Sequence, residues 1–249
     1  MRILLTNDDG WFADGILTLA RVLEKEHEVF VSAPDVQRSA QSHAITILKP
    51  MKVKNEIAEG LQAPIYSVAG TPADSVRVGV ELFGKEQPLD LVISGINHGL
   101  NAGMDVLYSG TVSAAIEANM YGLPSIAASY DSVSGDRFEE CAEKIAAFIR
   151  NQGKNMLEHK ILLNMNFPST MERDQDFVVS SIGDVRLDLF LREEEKDGTY
   201  SFTAKDREEV EERNGTDRYY LSEGKPTITP LQYDFTNTTW MDRLEAWRA

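Results

Sequence analysis

Short apolar runs alternate with stretches of period three to four through the first two-thirds of the chain. Residues 3–6, 29–33, 65–69, 89–94, 125–129 and 161–164 are apolar at consecutive positions, the pattern of strands buried on both faces. Between them, Ile16, Leu19, Ala20 and Leu23 share one helical face, as do Phe138, Cys141, Ile145, Phe148 and Ile149. Thr71-Pro72-Ala73-Asp74 predicts a helix start, with Thr71 as N-cap, Pro72 in the first turn and Asp74 closing a capping box. Gly122 and Gly153 are expected at helix C-caps. Such repetition predicts an α/β fold, a Rossmann-like, mostly parallel sheet with helices on both faces.

The pattern changes after residue 183. Residues 184–223 hold 13 acids and 7 bases, half of the segment, against 26% charged for the whole chain. Within it Arg186-Leu187-Asp188-Leu189-Phe190-Leu191 alternates at period two. Asp197-Gly198 follows as a hairpin turn signal, with Thr199-Tyr200-Ser201-Phe202-Thr203 as the returning strand. A further strand is expected at 227–231 and a short amphipathic helix at 240–247. The division is thus a Rossmann-like core over 1–183 and a C-terminal arm, strand and tail helix over 184–249. The arm has too few apolar residues for a core of its own, so a role in subunit contacts is expected.

The 249 residues and 42% hydrophobic content suit one packed core with an appendage. A net charge of −15 argues against wrapping nucleic acid. The single cysteine, Cys141, allows no intrachain disulfide, and its apolar helical face points to core packing. The longest apolar run, 145–149, is five residues, where a membrane helix needs about 20. The opening Met1-Arg2-Ile3-Leu4-Leu5-Thr6 turns polar too early for a signal peptide. A soluble cytoplasmic protein with no membrane association is expected.

Candidate chemistry gathers where strands end. The first strand runs into Asn7-Asp8-Asp9-Gly10, and ligands of open parallel sheets bind outside the carboxyl ends of strands. Two adjacent carboxylates stay ionised if exposed or if a cation lies between them; an Asx-rich turn capping the next helix is the equally weighted alternative. A second loop, Ser94 to Gly103, carries glycines at 95, 99 and 103 with Asn97, His98 and Asn101, and leads to Tyr108-Ser109-Gly110-Thr111-Val112. A helix starting near Thr111 would offer free N–H groups to an anion, which favours phosphate binding over a merely flexible loop. Neither a Walker loop nor a dinucleotide fingerprint is present, since no lysine follows these glycines and the first strand lacks the glycine pattern. Residues 7–15, 37–43, 94–103 and 108–112 contain one base, Arg38, and three acids, Asp8, Asp9 and Asp14. A phosphate here therefore requires a metal cation, and carboxylate, amide and hydroxyl oxygens suit Mg²⁺ or Mn²⁺. His43 gains interest only from its neighbours in Ser39-Ala40-Gln41-Ser42-His43.

Taken together these motifs resemble the SurE family, the stationary-phase survival proteins with 5′-nucleotidase activity. The resemblance lies in Asn7-Asp8-Asp9-Gly10 with Ala13 and Gly15-Ile16, Ala33-Pro34 leading to Arg38-Ser39-Ala40 and His43, and Gly70-Thr71-Pro72-Ala73-Asp74. It continues through the 94–103 loop, Tyr108-Ser109-Gly110-Thr111-Val112 and Ile228-Thr229-Pro230-Leu231, while residues 130–225 match weakly. It implies a metal-dependent phosphomonoesterase that hydrolyses nucleoside 5′-monophosphates, with 3′-monophosphates left open. It also implies one divalent ion per subunit at Asp8, Asp9, Ser39 and Asn97, and phosphate around Ser109, Gly110 and Thr111. Asp8, Asp9 and Asn97 are the expected catalytic residues, and Asn101 and His43 join the expected substrate contacts. A homodimer or homotetramer built through C-terminal segments is a further implication. A non-catalytic nucleotide sensor and an aspartyl-phosphate phosphatase are the alternatives.

Overall fold

The structure is a computed structural model and describes residues 1–132 and 137–248. Six parallel strands form its centre: β1 (Arg2–Thr6), β2 (Glu28–Pro34), β4 (Ile65–Val68), β5 (Leu91–His98), β6 (Ser125–Tyr130) and β7 (Leu162–Phe167). They lie in the order β4-β2-β1-β5-β6-β7, the doubly wound arrangement whose direction reverses between β1 and β5. Each was legible as a buried apolar run, to within a few residues at the ends.

The edges are antiparallel. β3 (Val53–Glu56) pairs with β4, and β11 (Thr227–Pro230) pairs with β7 and carries the two-residue β8 (Val178–Val179) beyond it. The C-terminal segment therefore contributes a strand to the main sheet. It also forms a separate hairpin, β9 (Asp188–Glu194) and β10 (Tyr200–Arg207), which turns at the left-handed Gly198 as its sequence predicts.

Alternation along the strands divides the core into two layers. Ile3, Leu5, Val29 and Val31 pack with Ile16 and Leu19 of α1 (Asp14–Leu23) and with Cys141 and Ile145 of α4 (Phe138–His159). Leu4, Phe30 and Val92 face the other way, onto Val76 of α2 (Pro72–Phe83) and Ala114 and Ala118 of α3 (Gly110–Met120). The capping box of α2 forms as its sequence requires: the Thr71 side chain accepts from the Asp74 N–H, and the Asp74 carboxylate accepts from the Thr71 N–H. Gly122, left-handed, follows the end of α3.

Gly153 corrects an expectation. It lies inside α4, which continues to His159 and ends on the left-handed Lys160. Ile149, Gly153 and Met156 are all buried on one face, so continued core packing outweighs the modest helix penalty of one glycine. The tail helix α6 (Thr238–Trp247) forms as expected, and α5 (Asp217–Ser222) precedes β11. Among the described residues no helix is long and apolar enough to cross a membrane.

Candidate active site

At the switch point between β1 and β5 the chain ends of both strands converge. β1 delivers Asp8 and Asp9, only 5% and 8% exposed. Asn7 fastens the turn that follows, donating to the Gly10 carbonyl at 2.8 Å and accepting from the Gly10 N–H at 3.1 Å. That is an Asx turn, and it leaves the two aspartates free of any capping duty on α1, whose N-cap is Ala13 with no side-chain bond. β5 delivers Asn97 past an irregularity in its pairing with β6 between Ser94 and Asn97. Gly95 makes this bend, with φ +135 and a backbone approach that would set a Cβ 2.3 Å from the Ala128 carbonyl oxygen. Only glycine fits there.

Each carboxylate is tied differently. Asp8 Oδ1 accepts a 2.6 Å hydrogen bond from the Thr111 hydroxyl, and the Gly110 backbone packs directly on the Asp8 side chain. Asp9 accepts from Gln37 Nε2 at 3.2 Å and from the His98 backbone N–H at 3.0 Å. Burial, reinforced by the neighbouring Asp9 charge, pushes the Asp8 carboxyl from 3.8 up to about 6, even though the Thr111 bonds act to lower it. Asn97 donates both amide hydrogens, to the carbonyls of His98 and Gly99, so its Oδ1 is left to accept or to ligate.

A cleft of about 260 Å³ opens over this point, lined by Asp8, Ser39, Asn97, Asn101, Tyr108 and Ser109 among others. A larger recess of about 530 Å³, bordered by Glu24, His27, Phe30 and Gln62, lies at the start of β2. The amino ends of parallel strands are not where such sheets bind ligands, so the smaller cleft is the candidate.

The other expected site residues fall into distinct places. Ser109 is the N-cap of α3, where its oxygen accepts from the Val112 N–H and its own proton remains to donate. Gly110 and Thr111 open that helix, but the Thr111 hydroxyl, fully buried, serves Asp8. Asn101 borders the cleft while its amide donates to Ser129, and its backbone is held by Asn164 and Asn166. His43 pairs with Glu117 at 2.7 Å and is not among the residues lining the cleft. Cys141 is buried, and its thiol is pushed up to about 12 by that burial, as a packing residue requires.

A divalent ion fits the donors present. Among the described residues no three of His, Cys, Asp and Glu cluster as a metal site. The oxygens that could hold an ion are those of Asp8, Ser39 and Asn97, which line the cleft, and of the adjacent Asp9, which does not line it; such donors are the hard, oxygen-only chemistry of Mg²⁺ or Mn²⁺.

Sequence reading missed the contribution from the far end of the chain. Arg207, at the base of the hairpin, lines the cleft, and Asp105 beside it pairs with both Arg207 and Arg218. The buried Asp217 accepts from the N–H groups of Gly103 and Gly183, each at 2.8 Å, which fixes the end of the glycine loop. No local motif marks these residues, because their partners lie about a hundred positions away in the sequence.

Residues 3–188 match the family model described as survival protein SurE. A protein of Clostridium botulinum (strain Eklund 17B / Type B) named 5′-nucleotidase SurE is 46% identical over 244 residues, covering 95% of each chain. The Clostridium tetani protein of the same name is 40% identical over 250 residues, covering 99% of this chain and 100% of its own. The crystal structure of the SurE protein from Aquifex aeolicus superposes with a TM-score of 0.83 at 32% identity over the full length of both chains.

Proposed function

The chain belongs to the SurE family and is a 5′-nucleotidase, and we propose that Asp8, Asp9, Ser39 and Asn97 hold one divalent ion, Mg²⁺ or Mn²⁺, at its active site. The family implies a divalent metal. The observation that carries the ligand set is the convergence, at the switch point, of two adjacent buried carboxylates with an amide oxygen freed by its own hydrogen bonds. Bound there, the ion supplies positive charge that polarises a phosphoryl oxygen and acidifies a nearby water.

The protein's own groups do the rest. Thr111 fixes the orientation of Asp8, and Gln37 with the His98 N–H fixes Asp9. One of these carboxylates takes the proton of the attacking water. The Ser109 hydroxyl, whose proton is uncommitted and which lines the cleft, faces the phosphoryl oxygens as charge redistributes among them. Asn101 shapes the loop, and His43 steadies the 39–46 segment through Glu117. The substrate is a nucleoside 5′-monophosphate, and phosphate leaves as the second product. No lysine lines the cleft among the described residues, which separates it from aspartyl-phosphate sites that place one beside the phosphate.

We further propose that the subunits assemble as a homodimer or homotetramer through the hairpin and tail, whose Leu189, Phe190, Phe202, Trp240 and Trp247 are exposed. The functional reading is tested by phosphate release from a panel of phosphomonoesters. Nucleoside 5′-monophosphates should outrun simple sugar and aryl phosphates. Equal rates across the panel would contradict nucleotide selectivity.

A further inference from the structure

We propose that Arg207, carried by the C-terminal hairpin, is a substrate-binding residue whose guanidinium meets the phosphate of the nucleotide. The inference rests on the phosphomonoesterase reading and adds a residue to it.

Placement comes from strand pairing. Arg207 closes β10 directly opposite Asp188, the first residue of β9, and Nε donates to Asp188 Oδ1 at 2.9 Å. Nη1 donates to Asp105 Oδ2 at 2.7 Å, on the short turn Gly103–Leu107 that leads from the glycine loop to α3. These bonds leave Nη2 for a ligand. The side chain borders the same cleft as Asp8, Asn97 and Ser109, and it is the only lysine or arginine lining it among the described residues.

Charge accounting gives the site a need for this group. Asp8 and Asp9 together balance one divalent ion, so a phosphate dianion arrives with its charge unmatched. Asp105 is already matched by Arg218, whose Nη2 lies 2.8 Å from the same Oδ2 and whose side chain is only 12% exposed. Arg207 shares that carboxylate with Arg218 and has Asp188 as its second negative partner. In the pair with Asp188 both side chains are 43% exposed, and water weakens such pairs. Exchanging that contact for a phosphate loses little. Guanidinium also suits the task, since its planar fork matches phosphate oxygens.

The test uses the full-length protein loaded with Mn²⁺, with inorganic phosphate binding read by calorimetry and nucleotide hydrolysis read separately. Arg207→Ala should weaken phosphate binding about tenfold or more and raise KM for the nucleotide, while Arg207→Lys recovers part of the loss. Thermal midpoint and the Mn²⁺ needed for half-saturation should stay at wild-type values. Asp188→Asn, which frees the arginine but keeps it, should bind phosphate at least as well as wild type. Equal phosphate affinity in Arg207→Ala and wild type overturns the proposal, as does an Asp188→Asn loss as large as that of Arg207→Ala. A wild type that bound phosphate but hydrolysed no nucleotide would defeat the catalytic reading alone, because the binding ratio still decides for or against Arg207.

Discussion

Asp8 sets stability against function at a single carboxyl. Burial raises it from 3.8 to about 6, so the folded state holds the proton more tightly than the unfolded chain does. Its contribution to stability is fully present below about pH 4, is lost as pH rises to about 6, and is flat above that. A shift of about two pH units corresponds to at most ~3 kcal/mol. Asp8→Asn should therefore stabilise the chelated protein above pH 6 by up to that amount while destroying activity. Denaturant titrations of both proteins near pH 4 and pH 7.5 check this; a variant gaining nothing at the higher pH would show that Asp8 is not strained by its burial. Thr111 acts on the same carboxylate, because its hydroxyl is bonded to Asp8 and not turned to the cleft. Thr111→Val should consequently raise the metal concentration for half-maximal activity, whereas a pure phosphate contact would change KM alone. The aspartate pair and the helix start near Thr111 were legible in the sequence because each sits in a short motif beside a strand or helix end. The service of Thr111 to Asp8 was not, since 103 positions separate them.

Among the elements, those read correctly are those whose signal is local and repeated. Strands β1, β2, β4, β5, β6 and β7 are buried on both faces and announce themselves as apolar runs, and α2 is marked by its capping box. The missed β3 is largely exposed and carries Lys54, Asn55 and Glu56, so no alternation betrays it. β8 and α5 are two and six residues long, too short for a period to emerge. Yet α5 matters to the site, because Asp217 at its start holds the glycine loop through the Gly103 N–H and the neighbouring segment through Gly183. Asp217→Ala would strand two buried donors, at about 1–3 kcal/mol each. A lowered thermal midpoint together with reduced kcat is expected. Unchanged values in both measurements would show that the loop needs no such clamp.

At the scale of the molecule, the hairpin and tail expose large apolar side chains, with Phe190, Phe202 and Trp247 each at least 60% exposed, as does the 45–57 segment through Ile47, Leu48 and Ile57. An isolated hairpin is marginal in water, so the arm should find its core in another subunit. Light scattering at micromolar concentration should report a dimer or larger assembly, and a monomer would refute the arm's role. If deletion of residues 186–206 leaves the dimer intact, the contact belongs to the tail helix. This level was legible only as a change in composition after residue 183, because a sequence shows what lacks a core without showing what completes it. A cation held by Asp8 and Asp9 at the switch point, as proposed, should make this 5′-nucleotidase active. Phosphate release from a nucleoside 5′-monophosphate by wild type and Asp9→Asn, after chelation and through a Mn²⁺ titration, tests this. Chelation should silence wild type reversibly, and Asp9→Asn should need more Mn²⁺ for half-maximal activity. Full activity after chelation, or the same Mn²⁺ requirement in both proteins, would contradict the account.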